Sequence, residues 1–141
     1  MKKAAIYAIL LQLMTISCSD NSSEATIRGR WQLRETIYPA RTATTDSVFY
    51  SFDSGVLQLQ TLLPRNHESE RSYGQYRIEG DSIIMTIPDT YFGQAAANEH
   101  YDWQTNERRF AIRTLTNTKL ELSVNSTRTG ADTIYTFRKY H

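Results

Sequence analysis

Residues 72–87 read SYGQYRIEGDSIIMTI. From Ser72 to Glu79 the residues alternate, and Tyr76 and Ile78 fall on one side. Gly80-Asp81 follows as a two-residue turn, because glycine takes positive φ without a Cβ clash. Ser82 to Ile87 alternates again, with Ile83 and Met85 on one side, and Pro88 closes the run. Two runs of period two joined by two turn residues predict a β-hairpin.

The same pattern extends in both directions. Upstream, Val56 to Leu63 places Leu57 and Leu59 on one face and ends at Pro64. The segment Arg65 to Glu70 reads as a polar loop. Val48 to Asp53 precedes the turn Ser54-Gly55. Ile27 to Tyr38 is the first expected strand, carries Trp31 and Leu33, and ends at Pro39; a Thr-rich loop, Ala40 to Thr45, follows. Downstream, Arg108 to Leu115 offers Phe110 and Ile112 to one side. Lys119 to Val124 offers Leu120 and Leu122, and Thr133 to Lys139 is the last strand.

These segments predict an all-β domain, an eight-stranded antiparallel meander closed into a barrel. Closure removes the unpaired edges that invite aggregation. A β-sandwich is the structural alternative. An eight-stranded barrel has room for a packed interior or one small ligand. Trp31, Leu33, Leu57, Leu59, Tyr76, Ile78, Ile83, Met85, Phe110, Ile112, Leu120 and Leu122 are therefore the candidates for its core or cavity.

Residues 89–107 break the pattern. Gln94 to Glu99 has good helix propensity, so a short helix or an ordered lid is expected. Tyr91, Phe92, Tyr101 and Trp103 cluster in this insertion. They are expected to pack it onto a barrel end; the alternative is a contact surface for a ligand or partner.

Charge and chemistry exclude several functions. Sixteen basic and 15 acidic residues leave no cationic field for a nucleic acid. His67, His100 and His141 lie too far apart for a metal-ligand motif, so no metal or other cofactor is expected. His100-Tyr101-Asp102 has no serine or cysteine nucleophile in a sharp turn to work with. No glycine-rich phosphate loop is present. The expectation is a protein that is not an enzyme.

At the amino terminus, Lys2 and Lys3 precede an apolar run, Ala4 to Met14, interrupted by Gln12. That run is too short to span a bilayer and suits a signal peptide. Thr15-Ile16-Ser17-Cys18 resembles the lipobox of bacterial lipoproteins, with Thr15 where that family prefers leucine. The resemblance implies cleavage before Cys18, the single cysteine, and lipid on its thiol. Residues 1–17 are then a signal peptide and 18–26 a flexible polar tether, with the barrel domain at 27–141. The implied partner is a membrane, reached through lipid on Cys18. The implied place is the outer membrane, on its periplasmic face or at the cell surface. Asp20 and Glu24 resemble the acidic export signal of surface lipoproteins.

Gly29-Arg30-Trp31 matches the G-x-W motif of lipocalins. Together with Tyr76-x-Ile78-x-Gly80-Asp81-x-Ile83, Phe110-x-Ile112 and Leu120-x-Leu122, it resembles the small lipocalin-like lipoproteins of Bacteroidetes over residues 26–141. The resemblance implies that Trp31 closes one barrel end, with Arg138 of the last strand packed across it. Phe137 and Arg138 must then face opposite sides of one strand. The resemblance also implies a small apolar ligand, with an envelope protein as the alternative partner. Asp46-Ser47-Val48, Asp81-Ser82-Ile83 and Asp132-Thr133-Ile134 match a short O-glycosylation motif, although the same pattern starts strands after turns.

Overall fold

The structure is a computed structural model that describes residues 19–65, 67–97, 101, 103–125 and 131–141. Its strands are β1 (Gly29–Ile37), β2 (Thr42–Thr44), β3 (Val48–Asp53), β4 (Val56–Leu63), β5 (Glu68–Glu79), β6 (Ser82–Thr86), β7 (Glu107–Leu115), β8 (Lys119–Asn125) and β9 (Asp132–Tyr140). Helix α1 spans Ser19–Ile27 and helix α2 spans Asp89–Ala97. All strands from β3 onward pair antiparallel with their neighbours, and β9 returns to pair with β1. The first half of β1 pairs with β3 and its second half with β2. β2 and β3 therefore share one position, and the barrel has eight.

Alternation sets which side chains enter the barrel, and two bulges reset it. In β1, Leu33 opposes Phe137 but Glu35 opposes Thr136, so Arg34 is the extra residue. The inward series changes from Trp31 and Leu33 to Thr36, all buried. A second register shift between Ile112 and Thr114 turns Leu115 toward the core in β7. Bulges of this kind bend strands and help a sheet close.

Of the inward candidates, Trp31, Leu33, Leu57, Leu59, Tyr76, Ile83, Met85, Phe110, Leu120 and Leu122 are buried in one core cluster. Ile78 and Ile112 pack against it while partly exposed. Val48, Tyr50, Phe52, Tyr135 and Phe137 from the strands also belong to the cluster.

Three local expectations need correction. Residues 19–26 are not a loose tether. They form most of α1, whose last residue, Ile27, is fully buried. Gly29 then adopts φ 121°, a conformation costly for other residues, and turns the chain from helix into strand. β5 begins at Glu68, inside the segment read as polar loop, because Glu68 to Arg71 pair with Gln60 to Leu63. The Thr-rich loop contains β2. Residues 1–18, including Cys18, lie outside the described residues.

The turns at Ser54-Gly55, Gly80-Asp81 and Thr116 to Thr118 gather at the α1 end of the barrel. The connection that carries α2, from β6 to β7, lies at the other.

Candidate functional site

The α1 end is closed by short-range chemistry. The Trp31 indole N–H donates to the Ile27 carbonyl at 2.7 Å. The Tyr76 hydroxyl donates to Glu24 Oε1 at 2.5 Å. Lys139 Nζ sits 4.5 Å from the centre of the Trp31 ring and donates to the carbonyls of Thr26 and Arg28. The expected Trp31–Arg138 pair does not form. Phe137 points inward, so Arg138 points outward and is exposed, while Lys139 regains the inward side. Burial holds the Lys139 ammonium below the usual lysine range.

The α2 end has a different composition. β7 sends Arg108 to the same side as Phe110, so a guanidinium enters an apolar barrel. Its carbon lies 4.9 Å from the Phe110 ring centre, 5.6 Å from Trp103 and 5.8 Å from Tyr135. It donates to the Tyr101 carbonyl at 3.2 Å and to the Tyr135 hydroxyl at 3.4 Å. Tyr101 and Trp103 descend from the insertion and are buried. The Tyr101 hydroxyl and Thr61 Oγ1 share a hydrogen bond of 2.6 Å. The Tyr50 ring packs at a tilt against Tyr101, with centroids 5.9 Å apart, and edge-on against Phe137 at 4.9 Å.

One donor in this group lacks a partner. Trp103 Nε1 is buried without a hydrogen bond. The Tyr50 phenol feels this N–H, yet the pair falls short of hydrogen-bond geometry. An unsatisfied buried donor of this kind costs about 1–3 kcal/mol.

The insertion is pinned at its base. Ile87 N donates to the Asn106 carbonyl at 2.8 Å, and Asn106 Nδ2 donates to the Ile87 carbonyl at 3.0 Å and to Asp89 Oδ1 at 2.7 Å. Of the insertion aromatics, Tyr101 and Trp103 thus enter the core. Phe92 and Tyr91 are only partly buried, and Tyr91 packs edge-on against Tyr73 on the outside of β5 at 5.7 Å. His100 and Asp102 lie outside the described residues.

Burial also sets the titration of the phenols. It pushes Tyr76 and Tyr101 up to about 12 from an ordinary value of 10, with the bond to Glu24 adding to the shift of Tyr76. Tyr50 is raised too, by burial first and then by Tyr135 and Tyr101. All three are neutral at physiological pH. A raised pKa stabilises the fold fully below the unfolded value, and that stability is lost as pH rises through the folded value. Urea midpoints should therefore hold up to about pH 10 and fall toward pH 12. Phenolate absorbance from these tyrosines should rise together with unfolding, rather than before it.

Arg108, Tyr135, Tyr50 and Thr61 were not among the candidates read from sequence. Parity with Phe110 marks Arg108 as inward, but beside Arg109 it reads as a solvated charge run. Among the described residues, no group of three or more His, Cys, Asp or Glu could hold a metal ion. Thr133 is buried, which makes Asp132-Thr133-Ile134 a strand start; Ser47 and Ser82 are half-buried. An open groove of about 470 Å³ is lined by Arg34, Lys119, Arg138 and His141, among others.

A family model described as a lipocalin-like domain matches residues 12–140. The chain is similar to a lipocalin-like protein from Bacteroides uniformis, at 26% identity and a TM-score of 0.67, covering 82% of this chain and 99% of that one. It is similar to an uncharacterized protein from Bacteroides eggerthii, at 29% identity and a TM-score of 0.64, covering 81% and 99%. Japanin from Rhipicephalus appendiculatus, in a structure bound to cholesterol, shares the fold at 14% identity and a TM-score of 0.52, covering 81% and 76%. No curated protein matches the chain.

Proposed function

The chain belongs to the lipocalin-like domain family, and from that premise we propose that it is a lipid-anchored, non-enzymatic envelope protein that holds a small apolar molecule in its barrel. The α2 end is the observation that carries the ligand reading. There, donors from Arg108, Tyr135 and Trp103 are turned into an otherwise apolar interior. A few convergent polar groups in an apolar setting are what orient a small molecule. Among them Trp103 Nε1 has no hydrogen-bond partner, a cost in free energy that packing alone does not explain. Japanin, bound to cholesterol, shows that the fold takes up an apolar ligand in that protein. The anchor reading rests on the lipobox-like residues Thr15 to Cys18 and the single cysteine. A thioether-linked diacylglycerol supplies two chains, and one chain alone binds membranes only marginally.

Native mass spectrometry of the protein purified from its host tests the ligand. A copurifying mass of lipid size is expected; a clean apo mass argues against the reading. Replacing Cys18→Ala tests the anchor. This variant should lose incorporated radiolabelled fatty acid and leave the membrane fraction. Retention of both would exclude lipidation at Cys18.

A further inference from the structure

Helix α1 stands between the anchor residue and the barrel. Cys18 is the residue before Ser19, where α1 starts. The helix is fastened to β1, β5, β7 and β9. Its last residue, Ile27, is fully buried and accepts from the Trp31 indole. Glu24 accepts from Tyr76, and the Thr26 carbonyl accepts from Lys139. Within the helix, Thr26 Oγ1 donates to the Ser22 carbonyl at 2.7 Å, and the Arg28 N–H closes its end on the Glu24 carbonyl. Length decides how much freedom a lipid on Cys18 then leaves. Nine extended residues would reach about 30 Å. The same nine as a helix span about 14 Å, and they lie against the barrel instead of leading away from it.

The α1 end also carries chemistry suited to a headgroup layer. Among the described side chains of α1, the exposed ones are Ser22 and Ala25. Neither offers the apolar area that sinks a helix into hydrocarbon. Beside the turn at Thr116 to Thr118, Lys119 and Arg138 are cross-strand partners on β8 and β9. With Arg34 and His141 they line the open groove that reaches Thr118. Glu121 balances Lys119 at 2.8 Å, while Arg138 adds an exposed positive charge. That charge is modest, and attraction to headgroups fades beyond about 8 Å at physiological salt. It counts only if the link holds this end close to the membrane, which a fastened helix does and a loose tether does not.

We infer that the barrel stands on the membrane by its α1 end, with the Lys119–Arg138 side toward anionic headgroups and the α2 end turned to water. The inference rests on the lipid-anchor reading above. Helix α1 converts a covalent anchor into an orientation. The group around Arg108 and Trp103 is then met from the aqueous side.

A single free thiol reports the stance. Lipidation consumes the Cys18 thiol, the single one in the chain, so an introduced cysteine takes the label alone. Asn117→Cys puts a fluorophore on the α1-end turn, and Arg65→Cys puts it in the exposed connection after β4, at the other end. The lipidated protein is reconstituted into vesicles of phosphatidylcholine and phosphatidylglycerol that carry a nitroxide on the headgroups. The label at 117 should lose most of its emission, and the label at 65 should keep it. A flexible Gly-Ser segment inserted between Cys18 and Ser19 leaves the barrel contacts in place and adds slack. On phosphatidylcholine alone, the difference between the labels should then collapse. Phosphatidylglycerol should restore part of it, and Lys119→Gln with Arg138→Gln should remove that part. Equal quenching of the two labels without the insertion, or a difference that survives the insertion on neutral vesicles, would overturn the fixed stance while leaving anchoring intact. Indifference of the inserted chain to phosphatidylglycerol would overturn the headgroup contact. Protein that carries no lipid mass on Cys18, or that does not float with the vesicles, would overturn the anchor reading itself.

Discussion

A valine or alanine at position 74 should destabilise the barrel more than any other addition of one to three carbons at a glycine. Gly74 lies in β5 opposite Leu57, at the point where pairing with β6 ends at Gln75 and Thr86. A Cβ there would press into the Thr86 carbonyl oxygen, with Thr86 C at 3.1 Å and Ile87 Cα at 3.3 Å. Its φ is ordinary, so the demand is for space rather than for backbone freedom. Backbone cannot rotate away as a side chain can, so the clash must be relieved by moving β6 off β5. Overpacking of a core typically costs about 1–3 kcal/mol, and a clash with main chain belongs at the top of that range. Gly74→Ala should cost about 3 kcal/mol and Gly74→Val more, read as a fall in urea midpoint at constant m-value. The same movement would displace Ile87, where the insertion is pinned to Asn106. Ligand affinity should therefore fall with stability in these variants. A neutral Gly74→Ala would mean that β5 and β6 are not packed this closely.

Much of this architecture was legible because period two is a strong signal when one face is buried. Residues 72–87 predicted their hairpin, and Tyr76, Ile78, Ile83 and Met85 face the core as alternation requires. The losses have specific causes. Helix α1 has no apolar stripe, and nine residues are too few to be helical on propensity alone. It is held by Ile27 and Glu24, contacts that exist only once the barrel is closed. β2 is three residues long with none buried, so no pattern marks it. The bulge at Arg34 switches the parity of β1, and no local motif announces it.

Arg108 was overlooked for a more instructive reason. Binary pattern assigns charge to the outside of a barrel, and Arg109 beside it does lie exposed, paired with Glu79 at 2.9 Å. Positions where a local rule correctly fails tend to be functional or strained. Arg108 and the unpartnered Trp103 N–H both belong to that class, and both lie at the α2 end. The opposite end also takes in a charge, Lys139, but there the ammonium donates to the Thr26 and Arg28 carbonyls, and the end reads as structure. This division of labour between the two ends was invisible in a list of apolar positions, because all twelve candidates would be core with or without a ligand.

The largest loss of stability is expected at that structural end, from Trp31→Ala. Trp31 is fully buried and joins three elements: α1 through the Ile27 carbonyl, its own strand β1, and β9 through Lys139. Truncating a buried tryptophan costs about 3–5 kcal/mol, against a total of about 5–15 kcal/mol for a typical domain. Here it also leaves the Ile27 carbonyl without its donor. Trp31→Phe keeps an aromatic ring and loses the 2.7 Å bond, so a smaller cost of about 1–2 kcal/mol is expected. The neighbouring cations discriminate between the two pairings that sequence and structure suggest. An ammonium over an indole contributes about 0.5–2 kcal/mol. Lys139→Ala should cost at least that much, because it also removes the bonds to Thr26 and Arg28 that fasten α1. Arg138→Ala should stay within about 0.5 kcal/mol, as surface substitutions do. In the Trp31→Ala background the cost of Lys139→Ala should shrink, since the ring it covers is gone, while that of Arg138→Ala should not change. If the double-mutant cycle instead couples Trp31 to Arg138, then β9 meets β1 in a register shifted by one residue, and every inward side chain of β9 has been assigned to the wrong face.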